Sequence, residues 1–157
     1  MRVVGYVREA PGRETGDTVF SQSEKIRRWV LANGHRLVAM CQDPRTEPAT
    51  RDGYAAMLRL VGEGNVDAVV VPTLAVLSPD IMNQEVMLWD LRGRKVKVIS
   101  AHEEDRELLE PATGDAARSV VRDLLNKQRD YQLRFTDLPA ATAVGAEPAE
   151  LMVELLE

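Results

Sequence analysis

Three groups of side chains in this sequence have the chemistry to bind or act on something. Arg118, Arg122 and Arg129 recur at helical spacing and lie within about 40° of one another on a helical wheel. Such a stripe can touch the phosphates of a nucleic-acid backbone without reading its sequence; it can also be a solvated, salt-bridged face, or meet a protein partner. Ser78 follows a valine-rich run and precedes Pro79. A hydroxyl at the carboxyl end of a strand sits where ligands bind in open α/β sheets, although a serine there more simply caps a helix that starts on the proline. His102-Glu103-Glu104-Asp105 collects metal-ligand types, yet consecutive loop residues seldom converge on one ion and no His-x-x-x-His spacing accompanies them. No metal site and no cofactor are therefore expected. Cys41 has no second cysteine to pair with and lies in an alternating apolar stretch, as a small buried hydrophobe would.

Strands alternating with helices must position these groups. Val3 to Val7 reads as the first strand. Phe20 to Ala32 carries Ile26, Trp29 and Val30 at helical spacing and closes at Asn33-Gly34, a left-handed helix stop. Arg36 to Cys41 alternates as a strand does, and Asp43 to Thr50 is a polar, proline-broken loop. Thr50 is placed to cap a helix from Arg51 to about Gly62, with Tyr54, Met57, Leu58 and Val61 on one face. Val66 to Val71 is almost continuously β-branched, as in a strand buried on both faces. A helix from about Pro79 to Leu91 and a strand from Lys97 to Ser100 complete the alternation. The pattern predicts an α/β fold with a mostly parallel central sheet of four or five strands and helices on both faces.

A long helix follows, from Asp115 to about Arg134, with Val120, Val121, Leu124, Gln128 and Tyr131 within a sector of roughly 100°. That stripe needs a partner, either a second copy of the chain or the sheet. Residues 1–135 then form one domain, and 136–157 form a flexible linker with a short acidic tail. At 157 residues and 45% hydrophobic composition the chain can bury one core. The net charge of −5 gives no global attraction to a polyanion. No apolar run approaches the roughly 20 residues that span a bilayer, and no signal peptide precedes the first strand, so no membrane partner and a cytoplasmic location are expected.

The order of these features over about residues 1–133 resembles the catalytic domain of the serine recombinases, the resolvases and DNA invertases. Tyr6-Val7-Arg8 matches the family's strand end, Gln22 falls where a glutamine enters the first helix, and Ile26 to Val38 fits helix, glycine turn and second strand. Asp43 and Arg51-Asp52-Gly53 are similar to the family's loop acid and the Arg-x-Gly start of the next helix. The resemblance also implies what is missing. Ala10 stands at the position of the nucleophilic serine and has no oxygen with which to attack a phosphodiester. The family's Leu-Asp-Arg-Leu-Ser-Arg, whose arginines clamp the scissile phosphate, corresponds to Leu74-Ala75-Val76-Leu77-Ser78-Pro79, so Ala75, Val76 and Pro79 replace the acid and both arginines. Losing one preorganised donor of that kind typically costs about 10²- to 10³-fold in rate. A Glu-Arg pair of the family's long helix is replaced near Tyr131-Gln132.

Arg8, Gln22 and Arg51 remain. They can form a residual anion pocket with bidentate geometry, or the two arginines can pair with carboxylates such as Asp43. In the family the long helix drives dimerisation, and its distal part crosses the DNA ahead of a helix-turn-helix; nothing resembling the latter follows here, so any DNA binding is expected to be weak and non-specific. The reading is thus a catalytically inactive serine-recombinase-like domain, homodimeric through Val120, Val121, Leu124 and Tyr131, acting as an interaction or regulatory module. One alternative is a DNA-associated accessory protein that forms heterodimers with an active recombinase and uses Arg118, Arg122 and Arg129. Another is an enzyme whose nucleophile has moved to Ser78 or Ser21. A flavodoxin-like or receiver-like sheet is the structural alternative; a receiver needs two acids near the end of the first strand, which Arg8-Glu9 does not supply.

Overall fold

A computed structural model describes residues 1–9, 17–45 and 50–136, with side chains as far as Arg134. The position of the expected nucleophile, Ala10, lies outside the described residues, as do the expected linker and tail, 136–157, apart from Thr136, which ends the last helix. In chain order the elements are β1 (Arg2–Arg8), α1 (Val19–Ala32), β2 (Arg36–Asp43), α2 (Asp52–Gly62), β3 (Ala68–Val71), α3 (Ile81–Gly93), β4 (Lys97–Ser100), α4 (Arg106–Leu109) and α5 (Ala116–Thr136). Among the described residues the strands form one parallel sheet in the order β2-β1-β3-β4. A helix lies between each strand and the next, as a parallel crossover requires.

Alternation along β1 and β3 sends side chains to two cores. Val4, Tyr6, Val69 and Val71 pack with Met57 and Val61 of α2 and with Leu88 and Leu91 of α3. Val3, Val7, Ala68 and Val70 pack with Ile26 and Val30 of α1 on the other face. Gly5 sits opposite Met40 and Val70. A Cβ there would come within 2.6 Å of Met40 Sδ and 3.2 Å of Ile26 Cγ2, so the missing side chain lets α1 approach the sheet. One compact unit runs from Met1 to Leu125 and a second begins at Asn126, within α5.

Helix starts are where the structure departs from local expectation. α1 is capped by Thr18, whose Oγ1 accepts from Ser21 N at 3.2 Å, and it stops at Asn33 with Gly34 at φ +64°, as its sequence implies. α2 has no side-chain cap of its own. Asp43, at the end of β2, does the work expected of Thr50. α3 begins at Ile81 rather than Pro79, and its cap is Asp80, which accepts from Asn83 N at 3.0 Å. A 3₁₀ turn at Leu74–Val76 carries Leu77 and Ser78 into the interior, so Ser78 Oγ accepts from Asp80 N (3.2 Å) and its carbonyl accepts from Gln84 Nε2 (2.6 Å).

Candidate functional site at the carboxyl edge of the sheet

Asp43 organises the carboxyl edge. Only 3% exposed, its Oδ1 accepts from Gly53 N at 2.7 Å, and its Oδ2 accepts from Tyr54 N at 3.1 Å and from the Tyr6 hydroxyl at 2.8 Å. A carboxylate on the first amides of α2 meets the positive end of the helix dipole. Gly53 makes this possible, because a Cβ there would lie 2.4 Å from Gln42 O and 2.6 Å from Gln42 C, against backbone that cannot yield. The Arg-x-Gly spacing is therefore a close-approach requirement between the start of α2 and the end of β2. Burial, then the hydrogen bond to Asp43, push the Tyr6 phenol far above its ordinary range. Tyr54 meets Tyr6 edge-on at 5.3 Å, and burial and Asp90 push its phenol up to about 12.

Arg8, Gln22 and Arg51 converge on this region in unequal roles. Gln22 is buried; its Oε1 accepts from Arg8 N (2.9 Å), and its Nε2 donates to Arg8 O (2.9 Å) and Asp17 O (2.8 Å). It clasps the backbone of Arg8, with its amide oxygen and nitrogen both engaged by main-chain groups. Arg51 lies 5.9 Å over the Tyr54 ring and reaches Met87 Sδ at 3.7 Å. Both half-buried guanidiniums act electrostatically on the Tyr6 phenol. Among the described residues neither forms an ion pair. The expected pairing with Asp43 is absent because the Tyr6 hydroxyl and the α2 amides already take up its carboxylate.

The chain supplies its own anions along this edge, a pattern that sequence reading missed. Glu9 accepts from Val19 N at 2.8 Å, at the start of α1, and from Arg45 N at 3.3 Å. Asp43 serves α2 and Asp80 serves α3. Asp105 accepts from Leu74 N at 2.8 Å and from Ser100 Oγ at 2.6 Å. Helix starts at the carboxyl edge of a parallel sheet are natural phosphate positions; here internal carboxylates take these amides. In Leu74 to Pro79, Ala75 and Pro79 are exposed, while Val76 is only 8% exposed and packs with Leu74, Leu77 and Tyr6 in the α2/α3 core. Ser78 is buried, and the Ser21 hydroxyl donates to Thr18 O at 3.1 Å within the α1 cap. His102 Nε2 lies 3.3 Å from Glu104, and among the described residues no three His, Cys, Asp or Glu side chains gather as a metal site. No helix among them is long and apolar enough to cross a membrane.

Two members of the arginine stripe, Arg118 and Arg122, are buried. Arg118 is 4% exposed, and its Nη1 donates to Glu85 Oε1 (2.8 Å) and its Nη2 to Gln84 Oε1 (2.7 Å). Arg122 donates from Nε to Glu85 Oε2 (2.7 Å) and from Nη2 to Glu85 Oε1 (3.0 Å). Glu85 has no exposed surface. Burial alone would raise its pKa, but the hydrogen bonds from Arg122 and Arg118 outweigh burial and hold the carboxyl below its ordinary value. Arg118 and Arg122, expected as an outward stripe, are turned inward by a buried acid on α3. Arg129, in the second unit, is half-buried. The apolar side of α5 faces outward, with Val120 68% and Leu124 60% exposed, Tyr131 exposed and Val121 half-buried.

The model of the family described as resolvase, N-terminal domain, matches residues 3–136. The chain belongs to this family. No curated protein matches it. The resolvase-family fold recurs in solved structures. The N-terminal catalytic domain of TP901-1 integrase superposes with a TM-score of 0.58 at 18% identity, over 86% of this chain and 98% of that one. The C-terminal catalytic domain of ISC1926 TnpA, an IS607-like serine recombinase, gives 0.55 at 22% identity, over 86% of each chain. A resolvase family site-specific recombinase from Streptococcus pneumoniae gives 0.57 at 15% identity, over 87% of this chain and 93% of that one. Within this resolvase-family domain, the segment Leu74 to Ser78 has an apolar side chain, Val76, directed into the core.

Proposed function

We propose that this resolvase-family domain does not cleave DNA and acts as a homodimeric contact module with a regulatory role. The observation that carries the reading is Val76, a core-packed aliphatic side chain where the family resemblance calls for a phosphate-clamping arginine. Serine-based phosphoryl transfer needs an activated hydroxyl and cations around the transferring phosphorus. Ala10 offers no hydroxyl, Ala75 and Pro79 no charge, and the amides at the helix starts are held by Glu9, Asp43 and Asp80. Arg8 and Arg51 alone do not assemble the set.

The outward apolar face of α5 supports the contact role. Val120 and Leu124, one turn apart on the side away from Glu85, are apolar surface that a second copy covers symmetrically. The same face suits the helix of an active recombinase, so mixed dimers belong to the same reading. The burial of Arg118 and Arg122 removes the main support for a DNA-binding accessory role.

The test combines light scattering with a cleavage assay. Wild-type protein should have the mass of a dimer, ignore duplex DNA at moderate salt, and form no covalent adduct with supercoiled plasmid; Ala10→Ser should remain inactive because the cationic positions are still empty. A covalent protein–DNA adduct from wild-type protein would overturn the reading, as would a monomer at micromolar concentration.

A further inference from the structure

Helix α5 is built inside out. Amphipathic helices dock through an apolar face, yet the buried residues of α5 are Arg118 and Arg122, and neither core contains an α5 side chain among the described residues. Both arginines converge on Glu85. Gln84 Oε1 takes the second Arg118 nitrogen, while Gln84 Nε2 is anchored on Ser78 O. Arg122 also donates from Nη1 to Glu110 O (2.6 Å) and from Nη2 to Leu108 O, and Arg92 donates to Leu109 O at 3.1 Å. One guanidinium thus joins α3, the end of α4 and α5.

We propose that Glu85 is a positioning residue whose ionised carboxylate docks the first turns of α5 on α3, so that neutralising this single group releases the helix while the α/β body stays folded. The charge balance makes Glu85 the keystone. Two buried guanidiniums face one buried carboxylate; peptide carbonyls solvate the excess positive charge, and Asp115 Oδ2 lies at 4.0 Å from Arg118 Nε. Removing the carboxylate leaves Arg122 without a counter-charge and Arg118 with only Asp115 at 4.0 Å, and breaking a buried pair from one side is strongly destabilising. The cheapest relief is hydration of the guanidiniums by lifting α5, because no core contact resists that movement and opening the sheet would expose both cores. The consequence for the dimer rests on the contact-module reading: Glu85 sets the orientation in which Val120 and Leu124 meet their partner.

The experiment is hydrogen exchange on the full chain in a Leu124→Glu background, which removes dimer protection from the comparison. Adding Glu85→Gln should speed exchange of amides 116–125 by roughly tenfold or more and leave β1 and β3 unchanged, the signature of local release. Arg122→Gln added to Glu85→Gln should change the rate little, because its partner charge is already gone. Unchanged protection of 116–125 would overturn the proposal, as would equal loss of protection in the sheet or full additivity of the two substitutions. A monomeric wild-type chain would sink the dimer reading and leave this comparison intact, so the two failures are distinguishable.

Discussion

Replacing Asp43 with alanine removes three hydrogen bonds from one buried carboxylate, and the size of the loss follows from what each partner does next. The amides of Gly53 and Tyr54 lose the carboxylate that caps α2, a change worth about 1 kcal/mol at an ordinary helix start. The Tyr6 hydroxyl, whose residue is fully buried, loses its acceptor; stranding a buried donor costs about 1–3 kcal/mol. Because the acceptor is charged, the bonds lie at the upper end of their range, and the combined loss should be about 3–5 kcal/mol. That is a large fraction of the roughly 5–15 kcal/mol that holds a domain together. Tyr6→Phe should lose only about 1 kcal/mol, since both amides keep their carboxylate. Urea unfolding followed by the fluorescence of Trp29 and Trp89 measures both. The Tyr6 phenol should also titrate lower in Asp43→Ala, while burial keeps it above its ordinary value. A loss below about 1 kcal/mol for Asp43→Ala would refute the cap-in-trans argument.

The remaining predictions concern the two inward-turned positions. Val76→Arg places a guanidinium in a nearly closed apolar site and should destabilise the domain by about 3–5 kcal/mol in urea; stability equal to wild type would show that position 76 can face the carboxyl edge, undercutting the inactive-site reading. The Glu85 carboxyl titrates below its ordinary value of 4.5, so in that window the unfolded chain binds more protons and stability falls as pH falls. The stability gap between wild type and Glu85→Gln should therefore be full at neutral pH and shrink below about pH 4.5. Arg118, Arg122 and the neighbouring Arg92 face this carboxylate, and Asp115→Asn controls for the acid beside Arg118. A gap that does not change with pH would refute the sign of the coupling.

Strand and helix identity were legible because they are local. The β-branched run ending at Val71, the Gln22 position, the Asn33-Gly34 stop and the alternation of strands and helices all depend on neighbours within a turn or two, and the parallel sheet with helices on both faces follows from that order. Arg51-x-Gly53 was visible as a motif, but its reason was not, since the close approach is to Gln42 on another element. Thr50 and Ser78 look like caps because a cap is sought beside its helix. The caps in fact come from Asp43, 10 positions away, and from Asp80 after the 3₁₀ turn moves Ser78 inward.

By itself the sequence determined the elements, their order, the absence of a hydroxyl at Ala10 and the amphipathic character of α5. Only the tertiary structure decided which side of that helix points inward. Helical periodicity places Arg118 and Arg122 on one side and Val120 and Leu124 on another, but it says nothing of what lies opposite. The deciding group, Glu85, is 33 and 37 positions away in the chain. A buried carboxylate must be neutralised by whatever cation the fold brings to it, and here that requirement outweighs the usual preference for burying leucine over arginine.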